Sequence, residues 1–164
     1  MEIKKQNNLL ELFYQQYLKE KPDQIFLKSL KNFENEFTWK ETYLNILKLS
    51  QELSSFIENK DRCLLISENR PEWMISDLAI MLSKGITVPA YTTYVERDYE
   101  YLINDCNPSV VIVSDAIQYD KIKKIIKSKP FIKKILSFEQ IKDANDIMCI
   151  KNIFEKKISG KKFS

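Results

Sequence analysis

Few side chains in this sequence could do chemistry, and they are scattered. Glu96 and Glu100 stand one helical turn apart in VERDYEYLINDCN, a spacing compatible with paired acid–base work. The same helix places Val95, Tyr99, Leu102, Ile103 and Cys106 on its apolar face, so the two acids are expected in solvent. Asp77 sits among apolar neighbours and reads as the holder of a buried hydrogen bond to a nearby loop. Trp73 could stack on a base, but an aromatic in the first turn of a sheet-covering helix is more often core. Arg70 has Glu68 and Glu72 close enough for a local ion pair. Cys63, Cys106 and Cys149 are odd in number and far apart, and Cys63 and Cys149 lie in apolar runs, which predicts buried thiols in a reducing compartment.

Two absences narrow the chemistry further. The chain has no histidine, which removes Ser-His-Asp and Cys-His catalysis, His-ligated metals and imidazole proton transfer. It has two glycines, Gly85 and Gly160, too far apart to write either glycine-rich phosphate motif. Backbone amides that must approach a phosphate closely usually need glycine, so a nucleotide loop of that kind is excluded within these 164 residues. No residue is assigned a catalytic, cofactor-binding or metal-binding role.

Charge is mild, at +3. Lysines concentrate late, at Lys121, Lys123, Lys124, Lys127, Lys129, Lys133 and Lys134. They alternate with Ile122, Ile125 and Ile126 and have only Tyr119 and Phe131 nearby, the pattern of a solvated amphipathic helix. A nucleic-acid partner is not expected, and weak peripheral contact with anionic membrane is the second reading. No apolar run approaches the ~20 residues of a membrane span, and the start, MEIKKQNNLLELF, lacks the core of a secretory signal. The expected address is cytoplasmic, with peripheral contact at the inner membrane face as an extension.

The elements that would position these residues follow from periodicity. Asn7 to Lys19 reads as a helix with Leu9, Leu10, Phe13 and Tyr17 on one stripe. Gln24 to Lys31, a polar turn at Asn32 to Glu36, and a short strand at Phe37 read as a hairpin at a sheet edge, or as a loose arm. Thr38 and Glu41 form a capping box for a helix reaching about Asn59. Cys63 to Ile66 has the composition of a buried strand. After it, Asn69 could cap a helix, with Glu72 completing a capping box and Pro71 in the first turn. Gly85 suits a left-handed helix end, and Ile86-Thr87-Val88 resumes as a strand that Pro89 limits. Val110 to Val113 is a second buried strand, followed by a helix from about Ala116 to Lys129. Lys134 to Phe138 reads as a strand, Glu139 to Lys142 as a short helix, Ile147 to Ile150 as a further strand, and KNIFEKKISGKKFS as a frayed tail.

Strand and helix alternating from Arg62 onward predict an α/β fold, a mostly parallel sheet with helices on both faces, preceded by a helix and a small hairpin. The expected division is an arm at 1–38, an α/β core at 39–150 and a basic tail at 151–164. Any site should lie beyond the strand ends, at Ser67-Glu68-Asn69, Ala90-Tyr91-Thr92 and Ser114-Asp115.

NRPEW, a mostly apolar helix, and then GITVPAYTT together resemble the N-terminal region of long-chain fatty-acid–CoA ligases, of the acyl-adenylate-forming, AMP-binding superfamily. The likeness runs more loosely from about Leu9 to about Phe138. It implies a reaction in which ATP and Mg²⁺ activate a fatty acid to an acyl-adenylate, and CoA then takes the acyl group as a thioester. The triphosphate loop, the metal-binding carboxylate, the ribose-gripping acid and the reacting lysine of that family lie downstream of the region matched, so none is carried onto a residue here. The turn before Arg62 lacks a glycine often found there, and Thr92 to Tyr94 replace a more usual proline and smaller apolar residue. The resemblance implies the N-terminal part of a synthetase cut by a frameshift, a split gene or a truncated gene model, and inactive alone. Two rivals are a stand-alone, non-catalytic α/β binding or interaction module, and a split enzyme whose C-terminal half is a separately encoded partner.

Overall fold

A computed structural model describes residues 8–30, 36–144 and 146–157. Helix α1 (Leu9–Tyr17) leads to strands β1 (Ile25–Lys28) and β2 (Glu36–Thr38), then helix α2 (Trp39–Leu53). The alternating part follows: β3 (Arg62–Ile66), α3 (Pro71–Leu82), β4 (Ile86–Ala90), α4 (Glu96–Cys106), β5 (Val110–Val113), α5 (Ala116–Ile126) and β6 (Lys134–Ser137). Strand β7 (Met148–Cys149) and helix α6 (Ile150–Glu155) complete it.

The main sheet has five strands, all parallel, in the order β4-β3-β5-β6-β7. Its central strands are buried on both faces, which is why they read as unbroken apolar runs rather than alternating ones. Along β3, Cys63 and Leu65 point into one core layer while Leu64 and Ile66 point into the other. Val110 and Ile112 share the first layer, Val111 and Val113 the second. The first layer is closed by α1, α2, α3 and α6 through Phe13, Ile46, Leu49, Leu78 and Ile153. The second is closed by α4 and α5 through Tyr99, Ile103, Ile122 and Ile125. The expected α/β architecture is the observed one.

Several local expectations are corrected. The hairpin pairs β1 with β2 antiparallel, but as a two-stranded sheet of its own rather than on the edge of the main one. It is seated by Phe26 stacked on Trp39 at 3.6 Å between ring centres; of the turn expected at Asn32 to Glu36, residues 32–35 lie outside the described residues and Glu36 opens β2. Helix α1 keeps Phe13 buried but leaves Leu9 exposed. Helix α2 has the expected capping box, with the Glu41 amide donating to Thr38 Oγ1 at 3.1 Å and the Thr38 amide to Glu41 Oε2 at 2.8 Å. It stops at Leu53 rather than near Asn59, and Ile57 reaches the core from the turn beyond. Pro89 lies in β4, at the edge, where its missing donor faces no strand. Residues 139–142 form no helix. The tail expected to fray begins with α6, whose Ile150 and Ile153 are buried against the first layer.

The end of α3 corrects the role of Gly85. Lys84, with φ 65°, holds the left-handed position. The Lys84 amide donates to Met81 O at 3.0 Å and the Gly85 amide to Ile80 O at 2.9 Å, the paired bonds of a Schellman end. Gly85 is required for space: a Cβ there would meet Ile80 Cγ2 at 3.0 Å, Ile57 Cγ2 at 3.2 Å and Cys63 Sγ at 3.3 Å.

Candidate functional site

The strand order places a switch point between β3 and β5, because the chain leaves β3 toward β4 on one side and returns to β5 on the other. In open parallel sheets that is where a crevice forms beyond the strand ends. Here the end of β3 continues as Ser67-Glu68-Asn69-Arg70, the end of β5 as Ser114-Asp115, and the end of β6 as Phe138-Glu139.

Arg70 dominates this corner. Pro71 occupies the first position of α3, and Arg70 precedes it in extended conformation, φ −152°, with no side-chain cap. Asn69 is therefore not the cap, and Glu72 does not complete a capping box. Instead Arg70 Nε donates to Glu72 Oε2 at 2.9 Å and Nη2 to Glu72 Oε1 at 3.0 Å, a bidentate pair. Nη1 reaches Glu139 Oε1 at 3.2 Å and Glu68 Oε1 at 3.5 Å. Glu72 is 2% exposed. A carboxylate so deeply buried is costly to leave without a partner, and the Arg70 guanidinium supplies one. Burial pulls the Arg70 pKa down, but the hydrogen bonds and charges of Glu72, with Glu139 and Glu68, more than offset this, and the net shift is upward. The guanidinium also lies over the Phe138 ring, 5.4 Å from its centre.

The expected Arg70 pairing with Glu68 and Glu72 is present, and the structure adds Glu139 and Phe138. Both come from the end of β6, and no local sequence signal could have joined them to a residue on the far side of β5. Ser67 Oγ donates to its neighbour's carbonyl, Glu68 O, at 2.7 Å. The hydroxyls of Ser114 and Ser137 are buried without a hydrogen-bond partner among the described residues. Trp73 is half-buried and packs on the first core layer, as expected of a core residue. Asp77 is half-buried too, but the loop hydrogen bond expected of it is not found among the described residues. Glu96 and Glu100 are both exposed.

The corner does not fit a triphosphate. Arg70 is already held by three carboxylates, so an incoming polyphosphate would meet the charges of Glu68 and Glu139 there and not a free guanidinium. No glycine lies between Ser67 and Pro71 to let the backbone close on an anion. Among the described residues no three acids or thiols converge to hold a metal ion. No chemical step with ATP, Mg²⁺ or CoA is derived from this corner.

A separate hollow of about 440 Å³ opens between β2, α2 and α6, lined by Phe37, Leu44 and Phe154 together with charged side chains of both signs, lysines and glutamates. Lys48 Nζ donates to Phe154 O and so ties α6 to α2. The three thiols are free and buried. Desolvation, with the Asp61 charge adding to it, pushes Cys63 up to about 12, and burial raises Cys106 as well. Neither is a nucleophile near neutral pH. The burial expected of Cys63 and Cys149 is found, and Cys106 is buried as well.

A long-chain-fatty-acid–CoA ligase of Rattus norvegicus is 29% identical over 84 residues, 51% of this chain and 12% of that protein. The long chain acyl-CoA synthetase 4 of Arabidopsis thaliana is 28% identical over 102 residues, 62% of this chain and 15% of that protein. The chain thus spans a small part of the length of the relatives it matches. In three dimensions, the coronafacic acid ligase of Pectobacterium brasiliense superposes with a TM-score of 0.77 over 90% of this chain and 29% of its own, at 19% identity, a likeness of fold. Residues 14–156 match the family model described as AMP-binding enzyme, from the helix that opens the first core layer to the last turn of α6, and the chain belongs to that family.

Proposed function

We propose that this chain is the N-terminal α/β part of a long-chain fatty-acid–CoA ligase and is inactive alone. The whole enzyme would activate a fatty acid with ATP and Mg²⁺ to an acyl-adenylate and pass the acyl group to CoA. The observation that carries this reading is the corner at Arg70. Family membership supplies the reaction, yet the corner at the switch point holds a guanidinium paired with three carboxylates, two of them open to solvent. The role of the chain is then to scaffold: its sheet and its ion-paired corner support catalytic groups carried elsewhere, by a C-terminal half encoded separately or in the downstream frame. A cytoplasmic protein with peripheral contact at the inner membrane face is the location consistent with this.

The test is ATP–pyrophosphate exchange with a long-chain fatty acid. The chain alone should give no exchange and no saturable ATP uptake in calorimetry. Exchange by the isolated chain would overturn the proposal. Exchange only on mixing with a polypeptide from the downstream frame would identify the split enzyme.

The stand-alone module remains a second reading because one observation favours it: helices close both faces of the sheet, so the core needs no further domain to cover it. It predicts a monodisperse protein on gel filtration, where a fragment that leaves apolar sheet or helix surface uncovered should self-associate.

A further inference from the structure

The two ends of the sheet differ in charge. At the carboxyl ends, Glu68, Glu72 and Glu139 surround Arg70, and Glu96, Asp98 and Asp115 stand at the starts of α4 and α5. At the amino ends, four loops are stitched into one rim by backbone bonds. Lys60 donates to Lys84 O at 2.8 Å, Ile86 to Asp61 O at 2.8 Å, Ser109 to Arg62 O at 2.9 Å and Lys133 to Ser109 O at 2.7 Å. This rim carries Lys60, Arg62, Lys84, Lys127, Lys129 and Lys134, none with a carboxylate in ion-pair range among the described residues. Its acids are Glu58 and Asp61, both held by Lys133 at 2.8 and 3.6 Å, and Asp105, exposed in the last turn of α4, so the cations still outnumber the carboxylates.

Helix C-termini point to this end, and some positive charge there complements their dipoles. That does not account for Lys60 and Lys84, which lie side by side in left-handed conformations, φ 68° and 65°, where glycine or asparagine is the unstrained choice. Beside Lys84, the apolar Ile86 is 46% exposed at the start of the edge strand. Nucleic acid is disfavoured as the partner, because the aromatics beside the rim, Phe131 and Phe56, pack on the core, and Phe56 lies under the Lys134 ammonium.

We propose that this basic rim seats the protein on an anionic lipid surface, with the amino ends of the strands toward the headgroups. It specifies the peripheral location given above and does not depend on ligase activity. Each cation near such a surface adds attraction that falls off within a Debye length.

The test is co-sedimentation of the full chain with vesicles of phosphatidylcholine alone and of phosphatidylcholine mixed with phosphatidylglycerol, without ATP or CoA. Binding should require the anionic lipid and should be lost at high salt. The double variant K84E/K127E, checked for fold by circular dichroism, should lower the partition coefficient at least ~tenfold. Lys60→Gln with Lys127→Gln, which adds no acid, should lower it in the same direction and serves if the first pair misfolds. Adding E96K and E100K to K84E/K127E restores the net charge at the opposite end, and the loss should persist. Equal binding to neutral vesicles, or full recovery in the fourfold variant, would overturn the proposal. Because no enzyme activity is read, either failure leaves the ligase reading untouched.

Discussion

At the scale of single residues, Arg70 matters most. Its side chain is 12% exposed and it is the bidentate partner of a carboxylate that solvent barely reaches. Replacing it with alanine strands Glu72 without its guanidinium and should cost ~3–5 kcal/mol of stability, read as a lowered midpoint in urea unfolding. Changing both together, Arg70→Met with Glu72→Leu, removes the buried charge as well and should recover much of that loss. Equal destabilisation by the single and the double variant would show that the pair is not what holds the corner. The sign of the pH dependence is fixed by the upward shift of Arg70. A cation whose folded pKa is raised gives its full contribution below its ordinary value, which for a guanidinium lies far above neutral, so the pair persists through neutral and moderately alkaline pH.

At the scale of elements, the end of α3 separates two demands that one residue was expected to meet. Lys84 takes the backbone strain and Gly85 the close approach. Gly85→Ala should therefore destabilise by ~1–3 kcal/mol, since Ile80, Ile57 and Cys63 line the space and belong to a packed core. Lys84→Gly should instead stabilise by ~1 kcal/mol by relieving the left-handed cost. Thermal unfolding of the two variants should move in opposite directions. If Gly85→Ala were neutral, the crowding seen at that turn would be relieved by small shifts of Ile80.

At the scale of the whole molecule, the first core layer joins α1, the hairpin, α2, α3, the sheet and α6, with Trp39 and Trp73 both packed in it. We propose that the arm and the core form one cooperative unit despite the compositional division at 38. Tryptophan fluorescence and far-ultraviolet circular dichroism should then give superimposable denaturation curves. An early fluorescence transition would mean that the hairpin around Trp39 opens by itself.

The sequence by itself determined the alternation of strands and helices, the parallel sheet, the two-faced burial of Cys63–Ile66 and Val110–Val113, and the cap at Thr38. All of these depend on residues within a few positions of one another, where periodicity and backbone preference act directly. It also determined that no glycine-rich phosphate loop is present, since that needs only a count. The tertiary structure decided what distant segments share. Glu139 and Phe138 meet Arg70 because β5 lies between β3 and β6, an order that no local pattern encodes. Helix α6 folds, despite its basic composition, because Ile150 and Ile153 find the first core layer to bury against. The lysines that read as one helix's solvated face belong in part to a rim drawn from four loops, because charges far apart in the chain are brought together only when the strands align.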